Sequence, residues 1–220
     1  SMVRPLRKLE RQGVKVTWLS PRSPSGFVPP QAVEEAITGE TRLVVMTHAS
    51  NVNGVIQPIK QYGLTARRRK VIFMVDAAQT AGRYPLDVQA DNIDLLAFSG
   101  HKGLFGPPGT GALYIGERVD LDTLREGGTG SPLEQEAQPI ALLYKFESGT
   151  VNSVGIAGLG AGIKFILREG LVKILAHEQS LTARLLEGLS QTPGITVFGA
   201  KDIANQAPIV SFTIDGIEPG

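Results

Sequence analysis

Three short segments hold the residues whose types could do chemistry. They are 48–54 (His-Ala-Ser-Asn-Val-Asn-Gly), 75–79 (Val-Asp-Ala-Ala-Gln) and 99–102 (Ser-Gly-His-Lys). Each begins where a hydrophobic run stops. Together they offer an amine, a carboxylate and several neutral donors and acceptors. A lysine amine can hold a carbonyl compound as a Schiff base. A carboxylate against a pyridine nitrogen keeps that nitrogen protonated and makes the ring an electron sink. Pyridoxal 5′-phosphate (PLP) asks for both, and for donors to its phenolic oxygen and phosphate. Lys102, Asp76, Gln79, Ser99 and His101 supply these types.

The elements that must position them follow from hydrophobic patterning. Residues 42–47, 71–75, 93–99 and 112–115 are short apolar runs suited to buried strands. Residues 14–19 alternate as a strand does. Residues 31–37, ended by Gly39, and 58–69 read as helices. Residues 21–30 and 127–138 read as loops, the second rich in Gly and Glu. From Val154 the pattern is helical to about Ser190, with a break near Gly170. There Leu171, Ile174, Leu175, Leu181, Leu185 and Leu186 can share an apolar face. Strand candidates at 195–198 and 209–214 follow Pro193-Gly194. Alternating strands and helices predict an α/β layered domain with a largely parallel sheet. Ligands of such sheets gather beyond the carboxyl ends of the strands, where Asp76, Ser99 and Asn51 fall.

Other signals carry less. The 220 residues are 42% hydrophobic and 20% charged, with a formal net charge of +1, so nothing points to nucleic acid or an acidic membrane surface. Arg67-Arg68-Arg69-Lys70 reads as a solvated helix end before a strand. With no cysteine, disulfides, thiolate metal sites and a thiol nucleophile within the chain are excluded. Three scattered histidines make no metal site; His177 reads as structural. No apolar stretch reaches the roughly 18 residues of a membrane span, and no signal peptide is legible, so the expected compartment is cytoplasmic. Gly106-Pro107-Pro108-Gly109-Thr110-Gly111 imitates a nucleotide-binding P-loop, but Ala112 and Leu113 stand where that loop needs Lys and Ser or Thr. A tight turn is expected instead.

The strings VDAAQ and SGHK at this separation resemble the class V aminotransferase family of fold-type I PLP enzymes, most of all its cysteine desulfurase and selenocysteine lyase group. Residues 146–152 (Phe-Glu-Ser-Gly-Thr-Val-Asn) and 155–160 (Gly-Ile-Ala-Gly-Leu-Gly) match that group too. The resemblance covers nearly the whole chain. It implies an aspartate aminotransferase-like large domain over residues 1–170, then a linking helix and the start of a small α+β C-terminal domain over 171–220. By this resemblance Lys102 forms the Schiff base and moves protons, Asp76 meets the pyridine nitrogen and Gln79 donates to the phenolic oxygen. Ser99 and His101 bind the phosphate. Asn51 lies near the cofactor oxygen and substrate carboxylate. Thr150 reaches the phosphate of a neighbouring subunit, which implies a homodimer. His48 matches a segment other than that of the family's ring-stacking histidine and reads as structural or supporting.

The family's upstream phosphate loop and stacking histidine find no match here, nor do the substrate-clamping arginine and desulfurase cysteine expected further on. The chain therefore reads as an internal fragment, inactive by itself, of a longer enzyme. The expected reaction is L-cysteine to L-alanine, with sulfur passing to a thiol outside these residues and then to a sulfur acceptor protein. Transamination or selenocysteine lysis would use the same residues, and an inert dimeric scaffold is the non-enzymatic alternative.

Overall fold

Strand order explains how the three segments come together. In the computed structural model, which describes residues 2–21, 25–128, 137–200 and 202–218, one sheet holds β1 (Leu43–Thr47), β2 (Ile72–Asp76), β3 (Leu95–Ser99) and β4 (Gly111–Ile115) in chain order. The pairs β1–β2 and β2–β3 are parallel, with Thr47 opposite Asp76 and Asp76 opposite Ala97. The carboxyl ends of β1, β2 and β3 thus share one edge. β4 returns antiparallel, with Gly111 opposite Ser99. The turn between β3 and β4 is therefore pinned at both ends. This is the expected α/β class, with a mostly parallel sheet.

Burial follows the predicted apolar runs. Phe73 and Val75 alternate onto one face of β2 and are 0% exposed. Onto them pack α2 (Pro30–Ala36) and α3 (Ile59–Arg68), through Val33, Ile59, Tyr62 and Ala66. Burying side chains of this size stabilises the fold by roughly 1.5–3 kcal/mol each. Pro30 opens α2 where its missing N–H costs nothing. The helix stops at Ala36, before Gly39, because Ile37 is already extended. Arg68 and Arg69 lie exposed at the end of α3, 3.7 and 3.6 Å from Glu34, so the basic cluster is a solvated helix end.

Several expectations are corrected. Residues 14–19 pair with no strand among the described residues. They run beside a helix the sequence reading missed, α1 (Val3–Arg11), where Trp18 Nε1 donates to Glu10 at 3.0 Å and Arg7 stacks 4.6 Å over the indole. Alternation alone makes no strand without a ladder partner. Ile93 and Asp94 precede β3 rather than starting it. The Asp94 carboxylate instead accepts from the Phe73 N–H at 2.8 Å and from Arg118, an anchor that ties the loop to β2. Residues 129–136 of the Gly- and Glu-rich loop, and residues 22–24 of the 21–30 loop, lie outside the described residues. A short helix, α4 (Leu142–Lys145), follows the former.

The helical tract divides where predicted. α5 (Ser153–Glu169) ends at Gly170, whose φ of 86° suits glycine, and α6 (Leu171–Ser190) follows. The apolar face of α6 is narrower than expected. Leu181 and Leu185 are exposed and Thr182 is buried in their place, its hydroxyl donating to the Glu178 carbonyl at 2.7 Å. Beyond α6, β5 (Ile195–Phe198) and β6 (Ser211–Ile214) form a separate antiparallel pair. β6 is two residues shorter than expected because Ile209 is bonded locally: its N–H donates to the Ala207 carbonyl and its own carbonyl accepts from Gln206 Nε2, both at 2.6 Å.

Candidate active site

Asp76 closes β2, and its Oδ1 accepts from the Ala78 N–H at 3.0 Å. That bond starts the turn carrying Gln79. Thr80 and Ala81 N–H groups both return to the Ala77 carbonyl, at 3.0 and 2.9 Å. Ala77 itself donates to the Ala97 carbonyl of β3 at 2.8 Å, which fixes the start of this turn beside the lysine-bearing strand.

Ser99 closes β3. The turn after it is held by backbone bonds from Gly100 N to Thr110 O (2.7 Å), Gly106 N to Gly100 O (2.8 Å) and Phe105 N to Lys102 O (3.1 Å). Two glycines seat it against the Gln79 turn. A Cβ on Gly82, whose φ is +80°, would collide with the Gly103 carbonyl, and one on Gly103 would stand 2.5 Å from the Ala81 carbonyl. Helix α5 closes the other side, where a Cβ on Gly162 would strike the Leu104 carbonyl. Lys102 therefore projects, half-buried, from a turn wedged between the Asp76–Gln79 segment and α5. The Ser99 hydroxyl is buried with no hydrogen-bond partner among the described residues. Such a group costs about 1–3 kcal/mol and calls for a ligand atom or water.

The third segment leaves β1 through His48, which donates its backbone N–H to the Asp76 carbonyl at 2.9 Å. Its ring is 6% exposed, and Nδ1 shares a 2.9 Å hydrogen bond with the Thr80 hydroxyl. Burial pushes the imidazole down to about 4, so it is neutral at physiological pH. His48 thus ties two site segments together from below, in the supporting role expected of it. Asn51 stands exposed at the tip of the following turn, where the Ser50 hydroxyl accepts from the Val52 and Asn53 N–H groups at 3.1 and 3.2 Å.

The sheet edge therefore gathers Asp76, Gln79, Ser99 and Lys102, with His101 exposed beside them. Thr150 is not joined to them. It lies exposed on the segment before α5, whose N-cap Asn152 accepts from the Gly155 N–H at 2.9 Å. The 106–111 segment is the expected tight turn, closed by Thr110 Oγ1 donating to the Pro107 carbonyl at 2.7 Å, and a strand follows it. Sequence reasoning missed the residues that seat the turns, above all Gly82, Gly103 and Gln206. Only the density of glycines around 100–111 hinted at close packing.

A parallel sheet bearing an acidic turn and a lysine turn at adjacent strand ends defines the large domain of fold-type I enzymes. The chain belongs to the aminotransferase class-V family, whose pattern matches residues 1–220. A probable cysteine desulfurase of Methanothermobacter thermautotrophicus is 38% identical over 220 residues, covering 98% of this chain and 54% of that protein. The apo structure of cysteine desulfurase from Thermococcus onnurineus NA1 superposes with a TM-score of 0.83 at 34% identity, over 98% of this chain and 54% of the other. A structure of SspA in complex with cysteine superposes at 0.65 and 34% identity, over 74% and 43%. The chain spans about half the length of the curated relatives it matches.

Proposed function

We propose that this sheet edge is the PLP site of a cysteine desulfurase, and that the chain, which spans about half the length of its relatives, is part of a longer enzyme. The observation that carries the reading is the buried, unpartnered Ser99 hydroxyl, three residues before Lys102 and on the strand beside Asp76. A phosphate oxygen would satisfy that hydroxyl, with His101 as the second donor. Asp76 would face the pyridine nitrogen and keep it protonated. Gln79 would donate to the phenolic oxygen, and Lys102 would hold the cofactor covalently through Nζ. Bound there, PLP would supply an electron sink for the Cα of an amino acid.

The remaining steps belong to the protein. Lys102, freed when substrate arrives, would carry protons at the substrate Cα. Asn51 would orient the substrate carboxylate. The names of the relatives and the cysteine bound to SspA support L-cysteine as substrate. The sulfur would leave to a thiol outside these 220 residues, which contain no cysteine, and from there to an acceptor protein in the cytoplasm. Thr150, on its exposed segment, would reach the phosphate held by a second copy in a homodimer. Residues 171–220 would begin a small C-terminal domain.

The test is an absorption spectrum of the full-length protein with PLP, beside Lys102→Ala. A band near the visible edge that borohydride abolishes and the substitution removes is expected, together with alanine release from L-cysteine. A band that persists in Lys102→Ala would refute the assignment of the lysine. A band with no alanine from cysteine would refute the substrate.

A further inference from the structure

Gln206 lies where the far end of the chain meets two of the site turns. It is 1% exposed, and among the described residues its side-chain amide bonds only to backbone. Nε2 donates toward the carbonyls of Ile209 (2.6 Å), Asn53 (2.8 Å) and Ala207 (3.2 Å), and Oε1 accepts from the Ala200 N–H at 2.8 Å. Its own carbonyl accepts from the Tyr84 hydroxyl at 2.9 Å, at the end of the Gln79 turn. The backbone around it runs along the Asn51 turn. Val55 bridges Gln206, Ile56 N donates to Asn205 O at 2.9 Å, and Ala207 N donates to Gly54 O at 2.7 Å. Ser211 Oγ adds a bond to the Val52 carbonyl. Gly54, at φ +71°, has no room for a Cβ because Gln206 Nε2 and the Ile209 carbonyl occupy that space.

We propose that Gln206 is a positioning residue for the reaction: it fixes the 50–54 turn, and so Asn51 at its tip, relative to the turn that carries Gln79. This rests on the amino-acid site proposed above. Among the described residues the tip of the Asn51 turn is held by local Ser50 and Asn53 bonds and by the Ser211 hydroxyl on the Val52 carbonyl, while Gln206 and its neighbours supply most of the bonds to the rest of the molecule, so the rear clamp dominates where the tip stands. Loosening a group that binds the substrate carboxylate weakens ground-state and transition-state binding alike, which raises KM and leaves kcat nearly unchanged. The clamp also couples the strand pair β5–β6 to the site, because the Gln206 amide bonds the β5–β6 connection and the Asn51 turn at once.

The experiment uses the full-length enzyme loaded with PLP, with L-cysteine as the probe. Gln206→Met keeps the side-chain length and deletes every amide bond. The expected result is an unchanged cofactor band, a KM raised about tenfold and a kcat within about twofold. In an Asn51→Ala background the same substitution should raise KM no further, since the two residues act through one contact. In cofactor-free protein, hydrogen exchange over residues 48–56 should quicken while that of 72–76 stays slow. Equal KM effects in both backgrounds, or unchanged exchange over 48–56, overturn the proposal. If Gln206→Met does not fold, Ser211→Ala enters the same cycle with a shift of about twofold, in keeping with the loss of one hydrogen bond. A parent enzyme without a band or turnover sinks the cofactor reading instead, and exchange over 48–56 then still decides whether Gln206 holds the turn.

Discussion

The Lys102 turn and the Asn51 turn leave the same edge of one sheet but are held in place by different physics. The Lys102 turn, closed by its own backbone bonds, is seated against its neighbours by close approach. Gly82, Gly103 and Gly162 each meet a backbone carbonyl at a distance that admits no Cβ. The Asn51 turn is held by directed bonds from a buried amide reaching across 153 residues of sequence. Steric seating tolerates no addition; polar clamping tolerates no deletion, and at Gly54 the clamp is itself too close to admit a Cβ. In the site proposed above, the first would hold a group still against the cofactor. The second joins the Asn51 turn to a distant part of the chain.

The largest effect should come from adding a methyl group to the steric seat. Gly82→Ala forces a Cβ against the Gly103 carbonyl and places a non-glycine residue at φ +80°. Overpacking and the left-handed conformation together predict a loss of about 4 kcal/mol, read as a fall in the urea midpoint of the full-length protein. Gly160→Ala is the control. It lies in α5 with nothing within 4 Å of its Cβ, and should be neutral or stabilising by roughly 0.5–1 kcal/mol. Equal losses at the two positions would end the steric account.

The next effect tests the link between the turns. His48 is buried neutral and bonded to Thr80, at the roots of the Asn51 and Gln79 turns. Its folded pKa, pushed down to about 4, lies below the unfolded value of 6.5. Between those values the unfolded chain binds a proton that the folded chain refuses. Its contribution is intact above pH 6.5 and is lost as pH falls toward 4, on the order of 3 kcal/mol in full. Stability measured from pH 7 to 4 should fall less steeply in His48→Gln. Parallel curves for the two proteins would mean that the imidazole titrates normally in the folded state.

The same contrast explains what the sequence could reveal. The placement of Asp76, Gln79, Ser99 and Lys102 at one sheet edge was legible because each stands at or within three residues of the end of a hydrophobic run, and parallel pairing brings such ends together. The break at Gly170 was legible because glycine ends a helical pattern. The role of Gln206 was not, since a polar residue in a loop gives no sign of its burial or of partners more than 150 residues away. The extended run at 14–19 misled because alternation reports a half-buried segment and not a hydrogen-bonding partner. Here the partner is α1, through Glu10 and Arg7.

The smallest effect separates the inner clamp of the Asn51 turn from its outer bonds. Ser50→Ala removes the hydroxyl that accepts from Val52 and Asn53; the Val52 N–H is exposed and can bond water instead, while the Asn53 N–H is part-buried. A cost of about 0.5 kcal/mol is expected, with hydrogen exchange at Gly54 nearly unchanged because its N–H still donates to the Ser50 carbonyl at 3.0 Å. The KM for L-cysteine should shift by less than about twofold, well below the change expected for Gln206→Met. A Ser50→Ala effect as large as that of Gln206→Met would mean that the turn is shaped from its tip, and that the distant glutamine merely packs beneath it.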